Sequence, residues 1–248
     1  MSSDAADPIA SEPPETGVLR VAINTANPVL ARRNAAGCLE GASVEIAHAF
    51  GKRLGRRIDL IPYVSAGQVF AALECDEWDL AFLAIEPERT GKAIFSPPYL
   101  VIEGTFVTRD AAPFACLADL DRPGVRIGVA LNAAYDLFLT RSLATAELVR
   151  FPTPGAVLEA FTAGALDAVA GVRQSLEAFA ERHSGFYVLP DAFMEIPQAI
   201  AVPPGRQADA GRLHVILREM QVSGRIREML NRNGMSGVKV SIPEGKGF

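Results

Sequence analysis

Two stretches of this sequence each occur twice, and that repetition limits the fold more than any other feature. GVLRVAIN at Gly17 to Asn24 is echoed by GVRIGVALN at Gly124 to Asn132, and WDLAFLA at Trp78 to Ala84 by LDAVAGV at Leu166 to Val172. Each is an apolar run of strand length, too short for a globular helix and bounded by turn-forming residues. The chain therefore reads as one α/β unit made twice.

In the first unit, Leu19 to Ile23 is a strand broken by Asn24, Thr25, Asn27 and Pro28. A helix over Ser43 to Leu54 follows, with Ala47, Phe50 and Leu54 on one face, Ser43 as its N-cap and Gly55 as its stop. Ile58 to Pro62 is a second strand, Gly67 to Cys75 a short helix, and Leu80 to Ile85 a buried third strand. Strands alternating with helices imply a mainly parallel sheet covered on both faces. In the second unit, helices are predicted over Ala133 to Leu143, Pro154 to Ala163 and Arg173 to Arg182. The middle one is well punctuated, with Thr153 to cap it, Pro154 at its first position and Gly164 at its exit.

Two extended segments join the units: Leu100 to Thr108 carries the chain across and Gln198 to Val202 brings it back, before helices near Asp209 to Val222 and Ile226 to Asn231 that pack on the first unit. The expected organisation is a flexible tail at 1–16, lobe one at 17–101 plus 204–248, lobe two at 108–197, and hinge strands at about 102–107 and 198–203. Two crossings make a hinge, and a hinge between concave lobes makes a cleft that closes on a ligand.

Charge enters the strand at Leu80 only where it ends. Pro87 stops it, and Glu86, Glu88 and Arg89 cluster around that proline. Strand ends are where an open sheet presents side chains to a ligand. There Arg89 is either a planar cation suited to holding a carboxylate or a surface arginine paired with Glu88 or Glu86.

Composition removes several classes. A net charge of −5 opposes nucleic-acid binding, which needs a basic stripe to displace counterions. Cys38, Cys75 and Cys116 are odd in number and irregularly spaced, and are expected as buried thiols. His48, His183 and His214 lack metal-ligand spacing, so no metal and no cofactor are expected. No apolar segment approaches the ~20 residues of a membrane span, and the acidic, Pro- and Ser-rich start lacks the features of a secretion signal. The absence of GxSxG, GxGxxG and a phosphate loop leaves little for catalysis.

The order LRVAIN, GASVEIA, WDLAFLAIEPER, FSPPY, GVRIGVALNAAYDLFL, ALDAVAG and QAIAVPPG resembles the polar-amino-acid type (family 3) of bacterial extracellular solute-binding protein, the receptor component of ABC importers. The resemblance runs from Gly17 to about Asn231. It implies the two-lobed type II periplasmic-binding-protein fold, joined by a two-strand hinge, and a monomer that takes a small solute and meets ABC-importer membrane subunits. It also implies a periplasmic address; with no signal in this sequence, the cytoplasm stays open. A dehydratase resembling the cyclohexadienyl dehydratases and a detached ligand-sensing domain are the alternatives.

In that family the arginine of the turn clamps a carboxylate, which falls on Arg89, and amides opening the first helix of lobe two share it, which fall on Asn132, Ala133 and Ala134. Unpaired amides and the helix dipole make that an anion site on physical grounds as well. The binding positions are then Arg89, Glu86 and Ala84 on one strand end, Asn24 and Asn27 after the first strand, Asn132, Ala133, Ala134 and Tyr135, and Arg173. The resemblance also marks departures. The family's acid for an amino group falls on Val172, and its turn Thr or Ser falls on Glu86. An α-amino acid therefore loses its usual ammonium partner, for which Glu86 or Glu103 are the substitutes available. Glu86 is also the acid or base a dehydratase needs, provided burial shifts its pKa toward neutrality.

Overall fold

The structure is a computed structural model that describes residues 17–242; the expected tail at 1–16 lies outside the described residues. β1 (Val18–Asn24) opens it, followed by the small hairpin of β2 (Arg32–Arg33) and β3 (Leu39–Glu40), α1 (Ala42–Leu54), β4 (Arg57–Tyr63), α2 (Ala66–Ala71) and β5 (Leu80–Ala84). The turn α3 (Pro87–Thr90) and the short β6 (Ile94–Phe95) lead into the long β7 (Leu100–Arg109). Beyond it come α4 (Leu117–Leu120), β8 (Arg126–Ala130), α5 (Ala134–Ser142), β9 (Glu147–Phe151), α6 (Pro154–Thr162), β10 (Ala168–Val172), α7 (Arg173–Arg182) and β11 (Phe186–Val188). β12 (Met194–Val202) returns, and α8 (Gln207–Val222), α9 (Arg225–Arg232) and β13 (Lys239–Val240) complete the first half.

The two halves share one plan. β4, β1 and β5 are parallel neighbours, as are β9, β8 and β10, and an antiparallel crossing strand flanks each trio: β12 beside β5, and β7 beside β10. β7 and β12 pair with each other over 100–104 and 194–198, so one curled sheet runs through both lobes. The echo seen in the sequence extends to individual bonds. The amide of Arg20 donates to Asp79 Oδ2 and the amide of Asp79 donates to the Arg20 carbonyl. Arg126 and Asp167 make the same reciprocal pair in lobe two. α2 and α6 are capped alike, the hydroxyls of Ser65 and Thr153 accepting from the amides of Gln68 and Ala156, both at 3.2 Å.

β5 is buried along its whole length, which is what its unbroken apolar run requires of a central strand. Trp78 is fully buried beneath α2 and donates its indole N–H to the Val69 carbonyl at 2.8 Å, so the large ring carries its polar atom into the core with a partner. α8 and α9 pack against α1, closing the outer face of lobe one with the end of the described chain.

Two sequence expectations fail locally. Ser43 does not cap α1: the N-cap is Gly41, at φ 128, and Ser43 lies buried inside the first turn. A Cβ on Gly41 would sit 2.4 Å from the Leu30 carbonyl oxygen, so close backbone approach decides that cap rather than a hydroxyl. Cys38 and Cys75 are exposed and Cys116 is half-buried, because they fall on turns and at a short helix start instead of on core faces.

Candidate functional site

The halves close on one another around a small cavity. Its walls are the ends of β1, β5, β8 and β10 together with the openings of α2, α5, α6 and α7. Those ends converge because each trio is parallel and the two trios run in opposite senses, so the carboxyl ends of both face the gap. Asn24, Asn27, Ala84 and Arg89 contribute from lobe one, and Ala133, Ala134 and Tyr135 from lobe two. Asn132, Glu86 and Arg173 do not line it.

Arg89 occupies the third position of the α3 turn, which Pro87 opens, and its side chain turns inward under the end of β5. It is 1% exposed. Nη1 donates to the Ala84 carbonyl at 3.2 Å, and Nη2 donates across the gap to the Asn132 carbonyl at 2.7 Å. The guanidinium also stands 5.7 Å from the centre of the Phe70 ring, a favourable cation–π distance. Nε is buried with no partner. Burial pulls the pKa of this group down to about 10, so it remains a cation at neutral pH. A buried cation without a bonded anion is costly, and its natural complement is a carboxylate.

The neighbouring acids do not supply that anion. Oε2 of Glu86, which is 3% exposed, accepts from Arg141 Nη2 at 3.0 Å, and Oε1 of Glu88 accepts from Arg141 Nη1 at 2.5 Å. Arg141 belongs to α5, so these bonds, like that from Arg89 to Asn132, join the two lobes. Burial raises the Glu86 carboxyl, against the opposing pull of Arg141 and Arg89. A surface ion pair between Arg89 and Glu86 or Glu88 is therefore not what forms.

The turn before α5 also differs from expectation. Asn132 adopts the left-handed conformation at φ 58, and its amide is spent on Asp136 Oδ2 at 2.8 Å. The Ala133 amide bonds the Ala130 carbonyl at 3.1 Å. What faces the cavity here is the first turn of α5, beginning at Ala134. Asp136 does more than oppose the helix dipole, since its other oxygen takes Arg150 Nε at 2.9 Å.

Arg173 turns away from the cavity. Its Nε meets Glu103 Oε2 at 2.5 Å and its Nη atoms donate to the carbonyls of Leu189 and Pro190. Glu103 is thereby engaged as well, so neither acid proposed to receive an ammonium group lines the cavity. The sequence reading missed Ser65, Ser175 and Gln198, which do line it. Gln198 carried a signal, being the one polar residue in the apolar run QAIAV; Ser175 carried only its place in the first turn of a helix that opens straight from a strand end.

The cavity volume is ≈ 70 Å³, about half the ~150 Å³ that an apolar protein cavity needs to hold benzene. Its walls are mostly alanine, valine, leucine and phenylalanine, with Arg89 as the sole charged side chain among the lining residues. Among the described residues no group of three His, Cys, Asp or Glu side chains is placed to hold a metal ion, and no helix is long and apolar enough to cross a membrane.

Comparison with known proteins agrees with this architecture. The structure superposes on an ancestral amino-acid-binding protein described as a precursor of cyclohexadienyl dehydratase, with a TM-score of 0.76, 22% identity, and coverage of 87% of this chain and 95% of that one. It also superposes on an L-arginine-bound amino acid ABC transporter substrate-binding protein from Streptococcus pneumoniae, at TM-score 0.77 and 19% identity, covering 91% and 96%. At these identities the likeness establishes the fold, the two-lobed type II periplasmic-binding-protein architecture. In sequence, the cyclohexadienyl dehydratase of Pseudomonas aeruginosa is 28% identical over 157 residues, a match that spans 62% of this chain and 58% of that enzyme. Residues 19–235 match one family throughout, and the chain belongs to the bacterial extracellular solute-binding proteins, family 3.

Proposed function

We propose that this protein captures a small carboxylate-bearing solute between its lobes and presents it to the membrane subunits of an ABC importer outside the cytoplasm, as a monomer. The observation that carries this reading is Arg89: a cation buried in the inter-lobe cavity, with an unpartnered Nε and with both nearby acids bonded to Arg141 instead. An anionic guest supplies a bonded counter-charge, which Glu86 and Glu88, acting on Arg89 only through space, do not. The first turns of α5 and α7 add amides and dipoles of the favourable sign around the same cavity.

Lobe one comprises 17–101 with 204–248, of which 243–248 lie outside the described residues, and lobe two 108–197 in this reading. Bending is concentrated at Gly104 and Gln198, where β7 and β12 change pairing partners. A ligand that touches both lobes favours the closed form through its differential contacts. Arg89→Ala should weaken binding by about 2–5 kcal/mol, measured by calorimetry on a carboxylate found by thermal-shift screening, because it removes a charged partner from a desolvated site. Unchanged affinity in that variant would refute the clamp.

A dehydratase-like activity is the second reading, favoured by the raised pKa of Glu86 and by the Pseudomonas relative. Binding without chemistry fits better, since the Glu86 carboxylate is held by Arg141 and does not line the cavity. Conversion of a cyclohexadienyl substrate by the purified protein, followed by absorbance, would reverse that preference.

A further inference from the structure

The polar groups around the cavity are unequally distributed by kind. The carboxamide oxygens of Asn24 and Asn27 each accept one bond from a local turn, from the amides of Ala26 at 3.1 Å and Val29 at 3.2 Å, and carry no charge. The Ser65 oxygen accepts from the Gln68 amide. Arg89 offers N–H groups and no acceptor. No carboxylate lines the cavity; beside its lining residues, Glu86 and Glu88 are bonded to Arg141 and Asp136 to Arg150, and Glu103 is bonded to Arg173. The site can therefore neutralise an anion and has nothing with which to neutralise a cation.

Two of its polar atoms are buried with no partner in the protein: Arg89 Nε on lobe one and Ser175 Oγ on lobe two. Ser175 stands in the first turn of α7, whose free amide dipoles favour negative charge or an acceptor oxygen beside it. Around these two points the lobe-two wall is Ala130, Val157, Leu158, Val169, Val172 and Leu176.

We infer that the solute is a short monocarboxylate that carries no ammonium group, with its carboxylate at Arg89 and an uncharged oxygen, hydroxyl or oxo, at Ser175. This rests on the carboxylate-binding reading above and specifies the substrate class of the same site. An α-ammonium group would be buried against apolar wall and helix amides, with no oxygen anion to receive it, whereas a hydroxyl or carbonyl there meets the Ser175 hydroxyl. The cavity volume of ≈ 70 Å³ in this closed arrangement favours a short solute over a bulky one.

Lactate, pyruvate and L-alanine differ only at the second carbon and make the test. Calorimetry on the full chain should show lactate or pyruvate binding at least about 100-fold more tightly than L-alanine, the discrimination expected when a charge is buried unpaired. L-Alanine binding as tightly as either would overturn the inference while leaving the carboxylate reading intact. If none of the three binds, this inference falls while a carboxylate found by screening still tests the reading above; if Arg89→Ala leaves their affinities unchanged, both fall. Ser175→Ala should lower lactate affinity by about tenfold with an unaltered unfolding midpoint. Ser175→Asp should invert the ranking in favour of L-alanine; retention of the wild-type ranking in that variant would remove Ser175 from the role given to it here.

Discussion

Side chains with several simultaneous partners are the ones whose behaviour this structure specifies most sharply. Asp121, after α4, shows how a carboxylate is committed to the fold: Oδ1 and Oδ2 accept from the amides of Ala144, Thr145 and Ala146 at 2.8–2.9 Å, and the Thr145 hydroxyl bonds it too. Those bonds to the charged form lower its pKa to about 2. The sign follows from proton linkage. The folded-state pKa lies below the unfolded value near 3.9, so this contribution is complete above about pH 4 and fades as pH falls toward 2. Asp121→Asn should therefore remove part of the acid limb of the stability curve, measured by urea unfolding between pH 2 and 5, and leave the slope above pH 5 unchanged. An identical acid limb in the variant would mean that the bonds to 144–146 do not persist in solution. Arg89 is the opposite case, a buried cation that bonds two carbonyls and that Glu86 and Glu88 reach only through space. Sequence alone could bring it to a strand end and name its two possible roles, but the choice between them turned on Arg141, which lies 52 positions along the chain in α5 and takes both acids. Arg173 was misread for a related reason: its place after β10 was right, and Glu103 with the carbonyls of Leu189 and Pro190 turned it outward.

At the scale of elements, α2 carries a requirement invisible in its own sequence. Gly67 sits in its first turn, in the helical region, where alanine is the better helix former by about 1 kcal/mol. A Cβ there would nonetheless lie 2.5 Å from the Leu131 carbonyl oxygen and 3.1 Å from Asn132 Cβ, both in the other lobe. Gly67→Ala should thus leave lobe one as stable as before, or slightly more so, while holding the lobes apart and weakening solute binding by more than about tenfold. A crystal structure or scattering curve of the variant with saturating ligand, superimposable on wild type, would count against this. Local propensity had marked the strand cores and the caps of α6, because β5 is apolar throughout and Thr153 and Pro154 stand in their preferred places. It failed at α1, where the packing of Gly41 against Leu30 outweighed the serine two residues on, and it passed over β9 and the first half of β12. Those strands carry charged or proline residues, Arg150, Glu195 and Pro197, that blur the apolar pattern while the backbone still pairs with its neighbours.

For the whole molecule, the question is what opposes opening once the hinge strands allow it. Among the described residues, polar bonds that span the gap beside the cavity join Arg89 to the Asn132 carbonyl, and Arg141 to Glu86 and to Glu88. The Arg141 pairs are unequal, since Glu86 is almost fully buried while the Arg141 and Glu88 side chains are 38% and 41% exposed. Water and salt screen the Glu88 pair to a fraction of 1 kcal/mol, whereas loss of Arg141 leaves Glu86 as a buried charge with no bonded partner and only the through-space pull of Arg89, which the protein relieves by opening or by protonation. Arg141→Ala should then shift the lobes toward the open state, raising the radius of gyration measured by small-angle scattering in ligand-free buffer and lowering solute affinity by about tenfold, because the ligand must supply closing energy that the latch no longer provides. The double variant Glu86→Gln, Arg141→Ala removes the stranded charge and should recover closure in part, in proportion to what the uncompensated carboxylate had cost. If the single variant scatters like wild type at both low and high ionic strength, the inter-lobe pairs only accompany closure, and the weight of holding the cavity shut passes to Arg89 and to the packing of Gly67 on Leu131.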